Sequence, residues 1–382
     1  RGVRRQDQLP TPSGAATPEP GPPGSEYEIR PVEAEDLPGV AELLPHLTGR
    51  DPEWNRGYLT WKYLDNPFVD RPLGIVARAG DRVVGFRGYH ATPWCVPGAG
   101  TRTLVLSPGD TTVHPEHRRR GLSVRMGARA MDELHPDHRI FLNMTAGASS
   151  VPGYVRMGFV RLHDKSRLLR LHPLRLARSF VPLGGGGADG DAAVPRGVRP
   201  GEFGNVEVSL EPRPEAMARV AMEPSPTTPK LTPLQEAGFF RWYFRAPGAR
   251  HVFYYLREEG RVTGYVVVRL EPPGRLATIL DNSRHSVAPV VELLRFLVRS
   301  KPAGVLWIYS FTPSRDLRSA MGTLGFRDDG LIERLRRRAN RVWPLLVRPV
   351  HPTPREEDWF VGDLDIRRIS SWEIPEIRSD AI

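Results

Sequence analysis

Residues Thr111 to Met126, TTVHPEHRRRGLSVRM, carry the residue types best suited to holding an anion. A β-branched run, Thr111, Thr112 and Val113, stops at His114-Pro115. Arg118, Arg119 and Arg120 then lead to Gly121 and to apolar residues at helical spacing, Leu122, Met126, Ala130 and Leu134. The pattern predicts strand, turn and helix, with the glycine at the turn. A helix N-terminus presents backbone N–H groups without intrahelical partners, its dipole favours negative charge, and the arginines add formal positive charge. Phosphate is the group such a turn would hold. A basic turn alone is also ordinary solvated surface, so the reading depends on what lies near it.

A second motif follows about thirty residues on, as one βαβα unit requires. The stretch RIFLNMTAGASSVPGYVRMGFVRL opens with a short apolar strand, Ile140, Phe141 and Leu142, and ends in Tyr154-Val155-Arg156-Met157-Gly158-Phe159. The order Val113-x-Pro115-x-x-Arg118-x-x-Gly121 resembles the acyl-CoA loop of the GCN5-related N-acetyltransferases, the GNAT family. Tyr154-x-x-x-Gly158-Phe159 is similar to the signature that ends that family's fifth strand and its helix.

The resemblance implies roles. Acyl transfer from a thioester to an amine needs a polarised carbonyl, a neutral amine and a stabilised thiolate. The backbone N–H of Val113, beside Thr112, is the candidate for polarising the carbonyl, because the fourth and fifth strands of the family splay and leave such a donor. Pyrophosphate would sit on the N–H groups around Arg119, Gly121, Leu122 and Ser123, with Arg118 and Arg120 as countercharges. Tyr154 is the candidate general acid toward the thiolate. Many family members carry Asn seven residues before this tyrosine; here Gly147 stands there, and Asn143 could supply an equivalent amide. Asp110, on the fourth strand, is the first candidate for the general base, His90 on the third strand the second and Asp281 the third. Loss of the amine proton through ordered waters is the alternative.

The elements that must position these residues can be read along the chain. Residues 1–25, rich in Pro, Gly and Ser, are expected to be disordered and lack the apolar core of a signal peptide. A strand at Tyr27–Pro31 and a helix through Leu44 follow, then an aromatic helix, Tyr58 to Phe68, ended by Asn66-Pro67. Leu73–Ala77 and Arg82–His90 alternate as two strands around Gly80, and Thr103–Val113 supplies the fourth. Ser166–Leu171 closes the first half. The glycine run at 184–187 lies in a linker over 172–204 and is no P-loop, since no Gly-Lys-Ser/Thr follows.

The second half repeats the first. Phe240-Arg241-Trp242-Tyr243 echoes Trp61-Lys62-Tyr63, Arg261-Val262-Thr263-Gly264 echoes Arg82-Val83-Val84-Gly85, and Leu324-Gly325-Phe326 echoes Met157-Gly158-Phe159. The offsets shrink from about 180 to about 167, the mark of a duplicated unit with a shorter middle. In the second copy the strand Ala277–Leu280 leads to Asp281-Asn282-Ser283-Arg284-His285-Ser286, without the Arg-x-x-Gly turn, and Met321 stands where Tyr154 stands in the first. That copy is expected to serve as scaffold and as one wall of the acceptor pocket.

Composition sets the bounds. The 382 residues, 40% of them apolar, suffice for two cores, and 54 Lys and Arg against 44 Asp and Glu give a net charge of +10, suited to anionic partners. The single Cys95 precludes an internal disulfide and fits a reducing compartment. No apolar run approaches the roughly 18 residues of a membrane span. His114 and His117 read as loop surface, His135-x-x-His138 is too sparse for a metal site, and Ser149 and Ser150 lie in no nucleophile elbow.

The expected protein is α/β, with two tandem GNAT-like domains, each a mixed, mostly antiparallel twisted sheet flanked by helices. Its parts are the segment 1–25, a domain with the acyl-CoA site over 26–171, the linker 172–204, a degenerate second domain over 205–330, and a basic helix (334–341) with a C-terminal extension over 331–382. The expected function is cytoplasmic transfer of an acyl group from acetyl-CoA, or another acyl-CoA, to a primary amine of a sugar, natural product or amino acid, with no metal. The rivals are a Fem-type transferase using aminoacyl-tRNA, the one case with a nucleic-acid partner, and a non-catalytic CoA- or anion-binding protein.

Overall fold

A computed structural model describes residues 27–135, 137–164, 166–178, 198–222, 229–271, 275–310, 315–328, 344–375 and 377. The expected N-terminal segment, the glycine run and the basic helix at 334–341 lie outside the described residues.

The first half opens with strand β1 (Glu28–Pro31) and helices α1 (Leu37–Leu43), α2 (Pro45–Thr48) and α3 (Pro52–Leu59). The last continues into one π turn over Thr60–Leu64. Strands β2 (Gly74–Ala79), β3 (Arg82–Cys95) and β4 (Arg102–Val113) follow, then α4 (Leu122–Leu134), β5 (Ile140–Asn143), α5 (Val151–Arg156) and β6 (Val160–Asp164). The residues expected on one face of α4, Leu122, Met126, Ala130 and Leu134, are all buried against this sheet. Beyond β7 (Ser166–Leu171) lie α6 (Pro173–Arg178), β8 (Gly201–Phe203), β9 (Val206–Ser209), α7 (Pro214–Ala221), β10 (Thr232–Pro233) and α8 (Ala237–Tyr243). The second half then runs β11 (His251–Glu258), β12 (Arg261–Glu271), β13 (Leu276–Asn282), α9 (Val287–Ser300), β14 (Val305–Ser310), α10 (Arg315–Thr323), β15 (Arg327–Asp328) and β16 (Pro344–Pro349).

These strands form two sheets of 8, mostly antiparallel. The first has the order β1-β2-β3-β4-β5-β16-β6, with β10 on β3, and the second β15-β7-β14-β13-β12-β11-β9-β8. The two sheets exchange their last strands. β7, expected to close the first half, lies between β14 and β15, while β16, expected in an extension, lies between β5 and β6. The reason is local: one residue separates β6 from β7, too few for even a two-residue hairpin, so the chain runs on into the other sheet. The boundary expected at 171 therefore cuts across both sheets, and the stretch expected as linker begins with a helix and ends in β8.

The halves also share a core. One apolar cluster joins Trp61, Tyr58 and Tyr63 of the first half to Phe239, Trp242, Tyr243 and Tyr265 of the second. At its centre Trp61 and Trp242 stack, ring centroids 5.2 Å apart and 13° from parallel. Each indole N–H donates to the backbone carbonyl of the other tryptophan, at 2.8 Å both ways. The chain after β16 folds back across the first sheet, where Trp372 meets Trp94 edge to face.

Candidate active site

β4 and β5 are parallel neighbours for only a short distance, Val105 and Leu106 opposite Ile140 and Phe141. Beyond that pairing they part, and a cavity of about 750 Å³ opens between them. Pro108 to Val113 line it from β4, Asn143 and Thr145 to Gly147 from the end of β5 and the loop after it, Arg118, Arg119 and Gly121 to Val124 from the turn and α4, and Tyr154 and Arg156 from α5. The two motifs of the sequence, separate along the chain, face each other across this space.

The turn presents backbone donors to the cavity. Arg119 and Gly121 have left-handed backbones, φ 62° and 71°, which swing the chain from the strand end into α4. The N–H groups of Val124 and Arg125 donate to the Gly121 carbonyl, and those of Gly121, Leu122 and Ser123 have no partner among the described residues. Three orphan donors at the N-terminus of a helix of 13 residues are the groups on which an anion was expected. Arg118 and Arg119 border it, and the Arg118 Nε donates to the Val113 carbonyl at 3.0 Å. Arg120 departs from expectation: it turns away from the cavity and donates to the Tyr27 hydroxyl at 2.7 Å, over that ring's face.

Register fixes where the Val113 amide points. His114 donates to the Val84 carbonyl at 2.8 Å, so the neighbouring pair, Gly85 opposite Val113, is the non-bonded kind in an antiparallel ladder. The N–H and C=O of Val113 are thus directed away from β3, into the gap left by β5. The strand reaches that register through a β-bulge: Phe86 pairs with Thr112 and Gly88 with Gly109, so that Asp110 and Thr111 oppose the single residue Arg87. Asp110 takes φ 50°, a left-handed value tolerated by aspartate more than by most residues.

The carboxylate of Asp110 is already engaged. It accepts from Tyr63 Oη at 2.6 Å, Lys62 Nζ at 2.9 Å and Tyr58 Oη at 3.1 Å. Burial alone would raise its pKa, but the Lys62 charge and the hydrogen bonds outweigh it and hold the carboxyl below the ordinary aspartate value. A carboxylate held ionised in this way is poorly matched to taking a proton near neutral pH. The other base candidates do not line the cavity. His90 is buried on β3, and Asp281 is closed off by Gln235 and Tyr265, each donating at 2.9 Å.

Tyr154 stands in the cavity wall with its ring packed edge to face on Phe159. The Arg87 guanidinium lies 4.8 Å from its ring centroid. Asn143 lines the cavity too, but its side-chain oxygen accepts from the N–H groups of Thr145 and Ala146, both at 2.9 Å, so it shapes the loop after β5. Arg87 is a residue to which the sequence assigned no role. It is 2% exposed, its Nε donates to Tyr89 Oη at 2.7 Å, and it has no carboxylate partner among the described residues. Its signal was visible, one arginine inside the apolar run Val83 to Tyr89. Arg156, in the last turn of α5, adds another cation to the lining.

Among the described residues, none of the second half lines this cavity, where one wall of the acceptor pocket was expected from that half. The second half meets α3 and the π turn at the cluster around Trp61. In the second half α9 has Ser286 and not a glycine at its N-cap, and Met321 is 1% exposed in the core. Among the described residues, His114, Glu116 and His117 bring ligand-type atoms within 4.8 Å of one another, with the Tyr27 hydroxyl 2.8 Å from His117 Nδ1.

Comparison with known proteins agrees with this geometry. Residues 28–161 match the family model described as an acetyltransferase (GNAT) domain. Among solved structures, a conserved protein of unknown function from Enterococcus faecalis, described as a probable N-acyltransferase, is similar at a TM-score of 0.57 and 14% identity, over 85% of this chain and 73% of its own. GCN5-related N-acetyltransferases from Kribbella flavida (TM-score 0.53, 13% identity, 85% of this chain and 72% of the other) and Anabaena variabilis (0.52, 10%, 85% and 73%) are also similar. At such identities the likeness is one of fold. No curated protein matches by sequence. No helix among the described residues is long and apolar enough to cross a membrane.

Proposed function

We propose that this chain, a GNAT-family protein by its residues 28–161, transfers an acyl group, acetyl in the first instance, from CoA to a primary amine of a sugar, natural product or amino acid. Transfer is direct, with both substrates bound at once. The observation that carries the reading is the convergence of three devices on one cavity: the orphan N–H groups of Gly121 to Ser123, the Val113 amide in the gap between β4 and β5, and Tyr154 opposite.

The pyrophosphate rests on the helix N-terminus, with Arg118 and Arg119 as countercharges. The Val113 N–H donates to the thioester oxygen as negative charge builds there. As the C–N bond forms and the C–S bond breaks, Tyr154 Oη gives its proton to the departing sulfur and recovers one from solvent. The Arg87 guanidinium over its ring stabilises the negative charge that this transfer leaves. The amine proton leaves through water, since the Asp110 carboxylate, engaged by Lys62, Tyr58 and Tyr63, is a weakened base. A Fem-type donor would have no use for the pyrophosphate cradle, and mere binding would have no use for a hydroxyl at Tyr154.

Calorimetric titration of acetyl-CoA tests the reading, beside a Gly121→Trp variant whose side chain enters open space at the turn. Binding to the wild type, lost in the variant, with thiol released when amines are added, is the expected result. A folded wild type that binds no acyl-CoA refutes it.

A further inference from the structure

Asp110 is the residue around which β4 changes register, and the groups that hold it come from α3 and the π turn. Tyr58, Lys62 and Tyr63 all reach one carboxylate. In a regular helix the fifth residue after Tyr58 lies about 140° round from it. The π turn, closed by the Asp65 N–H donating to the Thr60 carbonyl at 2.8 Å, widens the helix and brings Tyr63 back beside Tyr58 and Lys62. Room for Tyr63 is made in β3: a Cβ on Gly88 would lie 1.9 Å from its hydroxyl oxygen. Lys62 is 1% exposed and donates to Tyr58 Oη at 2.7 Å as well as to Asp110.

The bulge has a geometric consequence. One extra residue in a strand reverses which way every later amide points. Without the bulge at Asp110, the Val113 N–H would turn into the ladder with β3 and away from the cavity. Between Lys62 and Tyr58 on the same helix sits Trp61, fixed by its paired hydrogen bonds and stacking with Trp242 of the second half.

We propose that Lys62, Tyr58, Tyr63 and Asp110 are positioning residues that lock the β4 bulge and thereby aim the Val113 amide, and that the second half serves the reaction through Trp242, by holding the helix that carries them. The proposal rests on the acyl-transfer reading for its kinetic outcome, and hydrogen exchange provides a readout independent of it. The cluster touches no reacting atom; it acts through the backbone.

The test is a charge-pair cycle on the full chain: Asp110→Asn, Lys62→Met and the double variant, with Trp242→Phe alongside. Each is compared for acetyl-CoA affinity by calorimetry, for kcat at a temperature where circular dichroism shows it folded, and for amide exchange over 58–64 and 108–113. Each charge-pair single should cut kcat about tenfold or more, the scale on which small misplacements act. Acetyl-CoA affinity should stay within about twofold, since the phosphate turn is untouched. The double, which leaves no unpaired buried charge, should recover most of kcat and slow the raised exchange over 108–113. Trp242→Phe should raise exchange in both segments and lower kcat. A double variant as inactive as Asp110→Asn would make Asp110 the base and overturn the proposal. So would unchanged kcat and exchange in both singles. If the wild type turns over no amine, the acyl-transfer reading fails, and exchange over 108–113 alone decides whether the cluster holds the bulge.

Discussion

Removing the last strand should unfold the first half, although its candidate catalytic residues all lie before residue 160. The perturbation is a chain that stops at 328, before β16. That strand is central, hydrogen-bonded to β5 on one side and β6 on the other. Leu345, Leu346, Val347 and Val350 are all fully buried. At about 1.5–3 kcal/mol for each apolar side chain, their loss removes on the order of 6–12 kcal/mol, comparable to the whole stability of a domain. The same truncation strips Val361, Ile366, Trp372 and Ile374 from the cluster around Trp94. β6 is left without a neighbour, and β5 becomes an open edge at the wall of the cavity. The assay compares the full chain and the truncated one by near-ultraviolet circular dichroism, cooperative thermal melting and acetyl-CoA titration. The truncated chain should lack a cooperative melt and bind no acyl-CoA, and a separate piece covering 344–375 should restore both when the two are refolded together. A truncated chain that melts cooperatively and binds as tightly as the parent would refute the reasoning.

Other changes separate chemistry from scaffold. Tyr154→Phe should leave acetyl-CoA affinity nearly unchanged and lower kcat by about 10²–10⁴-fold, the usual contribution of a positioned acid; equal loss of both, measured by calorimetry and thiol release, would remove Tyr154 from the chemistry. Gly88→Ala drives the Tyr63 hydroxyl off Asp110, costing about 1.5–3 kcal/mol for a hydrogen bond to a charged group, plus strain, read as a lowered urea midpoint. Burial, with Arg269 nearby, pushes the His251 pKa down to about 4, so the folded chain binds fewer protons than the unfolded one between that value and about 6.5. This contribution is present above 6.5 and is lost as pH falls toward 4, by up to about 3 kcal/mol. His251→Leu should flatten the fall in melting temperature between pH 6.5 and 4.5, and an unchanged slope would contradict the assignment.

What the sequence made legible was local. The face of α4 and the glycine at its start follow from spacing and turn chemistry over a few residues, and Tyr154, inside a short helix, from its likeness to the family signature. What it hid depends on partners far along the chain. Nothing around Arg120 announces Tyr27, 93 positions earlier, and nothing around Asp110 announces Tyr58, 52 positions earlier. So a countercharge and a base were expected at side chains that the structure shows bonded to Tyr27 and to Tyr58, Lys62 and Tyr63. A strand's pattern likewise says which face is apolar but not which sheet it joins, and the exchange of β7 and β16 was invisible for that reason. The hint was the missing turn between β6 and β7.

The meeting of Trp61 and Trp242 is reciprocal. Each residue does to the other what the other does to it, which is the form of contact that a two-fold axis generates between identical subunits. The strand exchange obeys the same rule, each copy lending its final strand to its twin. A pair of separate, identical chains swapping those strands would have had two equivalent cavities. Joined end to end, the two copies need not stay alike: the second has no glycine before α9 and carries Met321 where the first carries Tyr154, while the paired contact of the tryptophans remains.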